Sequence, residues 1–403
     1  MTLSRSCLRA LQLGLLAALL AGSLPAQSPS AAPAPEIDFL YGDRELFPSA
    51  IVCFTADSRF APVDEQQLGD PQGVISIRLT APTDDCPVQV TLSETAFFEE
   101  SHVSCRLPKA GTVYYVAPVV RYRAERLASQ KQPLANLVIH AVVELPGESL
   151  DLSTKVVVHS VNDAIMQYQN RSKNAAASDW KSDAKYILAA YVNENNPWID
   201  QRVTRHALDK HYVDSFVGYQ GDAESVKKEL KAVYDTLADF GFKYTSFKEP
   251  SAVLVRRGGH VRLQAIRLVG DSLESAQANN IETALILASV FRKLSIDTTV
   301  FMLPKKQVLL GVYLGSSRKK EGALLVLDPR KLGYEGFDAA VAAGAAAFEP
   351  IKDKLLFGEG EEQDNLRRSA ERFSYVAVDI DLARQNGILP IPEVRREFRT
   401  APR

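Results

Sequence analysis

From residue 51 to residue 159 apolar and polar residues alternate with a period of two, and near Val161 that alternation gives way to helical spacing. A half-buried strand must expose every second side chain, so the first stretch is confined to sheets with one wet face. Ile75, Ile77 and Leu79 alternate with Ser76, Arg78 and Thr80, and Leu137, Ile139, Ala141, Val143 and Leu145 repeat the pattern around His140 and Glu144. Apolar runs of this kind recur at 51–55, 74–79, 88–92, 103–107, 113–122, 137–145 and 155–159, separated by Pro, Gly and Asp. They predict an all-β antiparallel sandwich over 37–163.

Beyond it, residues 179–191 and 222–240 read as helices, the second carrying Val226, Leu230, Val233 and Leu237 on one face with Gly241 as its stop. Strand-like runs follow at 242–247, 252–255 and 261–268. A helix over 280–294 then presents Ile281, Ala284, Leu285, Ala288 and Phe291 as an apolar stripe. Runs at 298–303, 308–314, 323–327 and 373–378 predict an antiparallel sheet packed on that helix. Helices first and sheet afterward, without βαβ alternation, give an α+β domain over 164–395 and a tail over 396–403.

The N-terminus carries Arg5 and Arg9, an apolar stretch at 11–21 and small residues to Ala26, the pattern of a secretory signal peptide over 1–26. The apolar stretch is too short for a membrane helix, so no membrane span is expected after cleavage and the protein is placed outside the cytoplasm, secreted or periplasmic. Residues 27–36, rich in Pro, Ala and Ser, read as a flexible linker. A formal charge of −2 gives no global field for nucleic acid or an anionic membrane.

Cleavage removes Cys7 and leaves Cys53, Cys86 and Cys105. Cys86 is in phase with Val88, Val90 and Leu92, and Cys105 with Val103 and Leu107, on strands of one hairpin. Cys86 and Cys105 are therefore the expected disulfide pair, with three buried free thiols as the alternative. His102, His140 and His159 lie on strands without metal-ligand spacing, and neither metal nor cofactor is expected.

The segment LESAQANNIETALILASVFRKLSIDTTVFMLPKKQVLLGVYL, residues 273–314, resembles the core of the transglutaminase-like superfamily. In that family a helix opens on a Gln-Ala-Asn-Cys type motif and two strands follow. The resemblance covers 168–392 and includes ILAAYVNENNPWIDQ, VDSFVGYQGD, HVRLQAIRL and LARQNGILPIPE. It implies a papain-like fold for the second domain and a Cys-His-Asp triad. After Gln277, Ala278 and Asn279, however, the nucleophile's position holds Asn280. The histidine's position, four residues before Gly311, holds Gln307, and Asp328 matches the third member. No cysteine follows Cys105 and no histidine follows His260.

Acyl transfer by a thiol needs a thiolate, a base and donors for the oxyanion. Asparagine is a poor nucleophile, and glutamine cannot exchange a proton near neutrality. The helix start itself is sound: Asn279 is a good N-cap and Glu282 stands three residues later, a capping-box pattern. The leading expectation is an exported, non-catalytic pseudo-transglutaminase that binds a peptide, a protein or a cell-envelope polymer. Gln277, Asn279, Trp198, Tyr219 and His211 are its binding candidates. The alternatives are a hydrolase or acyl-transfer enzyme using Asp328 and Glu282 with His206, His211 or His260, and a purely structural envelope protein.

Overall fold

The computed structural model describes residues 33–41, 44–54, 66–131, 135–169, 180–181, 183–245, 253–256, 259–303, 307–316, 324–352 and 376–393. The proposed signal peptide, residues 27–32 of the linker and the proposed tail lie outside them. The first region is rich in strands: β1 Glu36–Phe39, β2 Glu45–Leu46, β3 Gln67–Gly69, β4 Ile75–Thr80, β5 Cys86–Leu92, β6 Ser101–Leu107, β7 Val113–Ala117, β8 Ala135–Leu145 and β9 Glu148–Val158. They form two sheets, ordered β1-β4-β7-β3 and β2-β9-β8-β5-β6.

Two expectations fail in this region. It is not all-β: of the run at 51–55, expected as a strand, residues 51–54 belong to helix α1 Pro48–Phe54, and helix α2 spans Ala124–Ala128. A short, continuously apolar run fits a buried helix as well as a buried strand, and Pro48 is suited to a first helical turn. Nor is the pairing purely antiparallel, because β2 joins β9 and β3 joins β7 in parallel.

The expected Cys86–Cys105 disulfide is also absent, and Cys53, Cys86 and Cys105 are free. Phase placed both cysteines on one face of the hairpin, but the register sets Cys86 opposite Leu107 and Cys105 opposite Val88. Such diagonal neighbours lie roughly 7–8 Å apart, beyond the usual Cα separation of a disulfide. Burial pushes the Cys105 thiol above its ordinary value, away from the reactive thiolate.

The second region mixes helices and strands. Its first sheet, ordered β11-β10-β14-β13, contains β10 Asp163–Gln169, β11 Trp180–Lys181, β13 Val253–Arg256 and β14 Gly259–Ala265. β12 Lys243–Tyr244 and β15 Gln277–Ala278 form a short parallel pair. The last sheet, ordered β18-β17-β16-β19, is antiparallel and contains β16 Thr298–Leu303, β17 Gln307–Tyr313, β18 Leu324–Leu327 and β19 Val376–Asp379. The helices are α3 Arg205–Asp209, α4 Ala223–Asp239, α5 Val269–Ser275, α6 Asn280–Lys293, α7 Phe337–Phe348 and α8 Ile380–Gln385. The helix expected at 179–191 is instead β11 followed by a 3-10 helix at Asp183–Tyr191.

α6 is the buried centre of this region. Every side chain from Ile281 to Phe291 is buried, and Val300, Val308, Leu310 and Val312 of the last sheet share its hydrophobic cluster. On the other face of that sheet, Phe301, Leu303, Leu309 and Val326 pack with Phe348 of α7 in a second, smaller cluster. Gly311 belongs to this second face, because a Cβ there would lie 2.6 Å from the Phe301 ring. The main cluster runs from Ile37 to Ile391, so the two regions share one core. Among the described residues no helix is long and apolar enough to cross a membrane.

Candidate functional site at the start of helix α6

Asn279 caps α6 as its residue type and spacing predict. Its side-chain oxygen accepts the Glu282 N–H at 2.9 Å, and the Glu282 carboxylate accepts the Asn279 N–H at 3.0 Å, completing a capping box. The same carboxylate, 4 % exposed, accepts from the Arg267 backbone N–H at 2.9 Å and from its guanidinium at 2.8 and 3.1 Å. Arg267 also donates to the Gln277 carbonyl at 2.7 Å. Glu282 therefore has no role to spare as a general base. One arginine ties together the cap, the strand before it and the exposed Gln277.

Asp328 comes close to this helix start by way of β12. The turn at Pro329–Lys331 packs against both α6 and β12. The Tyr244 N–H donates to the Leu332 carbonyl at 3.3 Å, and the next N–H, of Thr245, donates to Ala278 at 2.8 Å. The Asp328 carboxylate is buried and bound by its near neighbour. It accepts the Arg330 backbone N–H at 3.0 Å and the Arg330 guanidinium at 2.6, 2.9 and 3.2 Å. Such a forked pair fixes the orientation of the carboxylate. No imidazole is bonded to it among the described residues.

Gln307 does not join this group. It pairs with Leu303 across β16 and β17 and alternates with Val308, which places it on the α7 face, away from α6. The residue at the start of β17 that shares a cluster with α6 is Val308. Correcting the position by one residue thus substitutes an apolar side chain and restores no base.

The remaining candidates are dispersed. Trp198 is 9 % exposed, meets Phe240 edge-on at 5.2 Å and lies under the Arg202 guanidinium. The Tyr219 hydroxyl donates to the Tyr313 carbonyl at 3.0 Å and accepts the Asp297 N–H at 2.9 Å, beyond the far end of α6. Both serve packing. His211 is exposed in a left-handed turn after α3. His206 is bonded to Asp239 at 3.1 Å. The side chain of His260 lies outside the described residues.

No protein-family model matches the chain, and no curated protein matches it. The likeness to transglutaminases rests on the quoted residues alone.

Several stretches that carry that likeness bind one another. Arg384 donates to Glu194 at 2.9 and 3.0 Å and to the carbonyls of Ala189, Val192 and Ile388. Glu393 accepts from Asn193 and from the Gly270 N–H, each at 2.8 Å. The buried Glu229 of α4 accepts the N–H groups of Val217 and Gly218 in the VDSFVGYQGD stretch. The sequence reading missed Arg267, although it stands inside the quoted HVRLQAIRL, and Arg330, two residues after Asp328. It also missed Tyr334, 65 % exposed, whose hydroxyl donates to the Tyr244 carbonyl at 3.1 Å and holds an aromatic ring beside the helix start.

Proposed function

We propose that this chain is an exported, non-catalytic pseudo-transglutaminase, with a β-sandwich followed by a papain-like domain, that binds a peptide or an envelope polymer at the start of α6. The observation that carries this reading is the commitment of both acidic groups there: Glu282 is held by Arg267 and Asp328 by Arg330. With Asn280 at the nucleophile's position, the helix start offers amides and an aromatic ring in place of reacting groups. The exposed Gln277 presents donors and acceptors suited to peptide bonds or sugar hydroxyls, and the exposed Tyr334 ring suits stacking on either. A hydrolase built on Asp328 has the Arg330 pair against it, since the guanidinium already engages both carboxylate oxygens.

Purified protein should show no amine incorporation, glutamine deamidation or peptide cleavage, and Asn280→Cys should remain inactive because Val308 supplies no base. Activity that Asn280→Ala abolishes would overturn the proposal. Binding to a peptide library and to cell-wall fragments should weaken in Asn280→Trp and Tyr334→Ala. Binding unchanged in both variants would exclude this surface.

A further inference from the structure

A second cluster of ionisable groups lies far from α6 in the chain, where the β-rich region meets the α+β region. His159 follows β9 and is 4 % exposed, with its ring stacked on Phe47 at 4.2 Å between centroids. Its Nδ1 lies 3.3 Å from the Asp163 carboxylate, and its Nε2 lies 3.6 Å from the Glu45 carboxylate. Glu45 belongs to β2 of the first region. Asp163 opens β10, whose partner β14 belongs to the second. One buried imidazole thus stands between a carboxylate from each side.

A neutral imidazole has one N–H and one lone pair, so it can donate to only one of these carboxylates and must turn its lone pair toward the other. Only the imidazolium presents an N–H to both. The same segment holds β2 in place: the Val157 N–H donates to the Arg44 carbonyl at 2.9 Å and the His159 N–H to the Leu46 carbonyl at 2.8 Å. We propose that Glu45, His159 and Asp163 form a pH-sensitive latch across this seam, closed while His159 is protonated and loosened when it loses that proton.

Burial opposes the charged ring, but the hydrogen bond of Asp163 and the charges of both carboxylates outweigh it and hold His159 above its ordinary value. A value raised in the folded state means that the latch is fully closed below the ordinary imidazole range and opens as pH rises through the raised value. The other ionisable groups packed here are Cys53 of α1 and Tyr191, whose hydroxyl donates to the Val161 carbonyl at 2.5 Å. Lys131 and Asp271 form a separate ion pair at 2.5 Å, and Ser160 Oγ donates to the Lys131 carbonyl.

Hydrogen exchange at the amides of Val157 and His159, followed in the full chain and corrected for intrinsic base catalysis, tests the latch. Protection should be constant below about pH 6.5, fall by up to about tenfold per pH unit above it, and then level off. In His159→Gln the corrected rates should be independent of pH. Asp163→Asn, which leaves the imidazole one carboxylate, should move the transition to lower pH. Lys131→Ala should speed exchange without removing the slope. Flat protection in the natural chain would overturn the latch, as would a wild-type slope in His159→Gln or an unmoved transition in Asp163→Asn.

Discussion

At the scale of single residues, the start of α6 is held by polar groups that must stay paired. Glu282 satisfies the Asn279 N–H and two sets of Arg267 donors while buried, so its removal leaves a buried donor and a guanidinium without their acceptor. Glu282→Ala should destabilise the fold by roughly 2–3 kcal/mol, below the full loss of a buried pair because Arg267 is partly exposed. Asn279→Ala, which removes one cap bond, should lose about 1 kcal/mol. Urea unfolding midpoints of the two variants check this order, and equal midpoints would refute it. Gly218 is constrained differently. Its φ is +53° and a Cβ would lie 2.7 Å from the Leu294 carbonyl oxygen, so backbone would have to move. Gly218→Ala should therefore be destabilising by at least about 1–2 kcal/mol, and a midpoint equal to that of the natural chain would show that the turn relaxes freely.

At the scale of elements, α8 is fastened to the segment before α3 by Arg384, whose donors reach Glu194 and three carbonyls. Lysine has the charge but not the planar fork, so Arg384→Lys should destabilise by about 2 kcal/mol rather than act conservatively. Burial works against the Glu194 carboxylate, yet the hydrogen bond and charge of Arg384 hold it below its ordinary value near 4.5. A depressed carboxyl contributes stability above that ordinary value and loses it as pH falls through the lower folded one. Thermal midpoints taken from pH about 5.5 down to about 3 should fall less steeply in Glu194→Gln than in the natural chain. Parallel curves would remove Glu194 from the acid response. Legibility at this scale followed pattern length. The two long helices were read to within a residue or two, α4 at Ala223–Asp239 and α6 at Asn280–Lys293. The five-residue apolar run at 51–55 was misread, because it is too short for its period to separate helix from strand.

At the scale of the whole molecule, the boundary near Val161 is a change of secondary structure without a break in the core. One hydrophobic cluster joins Ile37 and Phe39 to α1, to Tyr191 and to Ile391. Residues 35–162 expressed alone should therefore expose the surface that β10 and the Asp183–Tyr191 helix cover, bind a hydrophobic dye and lack a cooperative transition. The intact chain should unfold in one step by near- and far-ultraviolet dichroism. A fragment that melts cooperatively would show that the first region has a sufficient core of its own.

The sequence alone determined the period of each segment, the cap of α6 and the lack of a thiol or imidazole after residue 260, because each is a property of neighbours along the chain. Only the tertiary structure decided that Gln307 faces α7, that Cys86 and Cys105 lie diagonally apart, and that Glu282 is bound by Arg267. Strand register, sheet face and long-range ion pairing depend on which segments meet. A shift of one residue reverses a side chain's face without changing the composition or period of the segment that carries it.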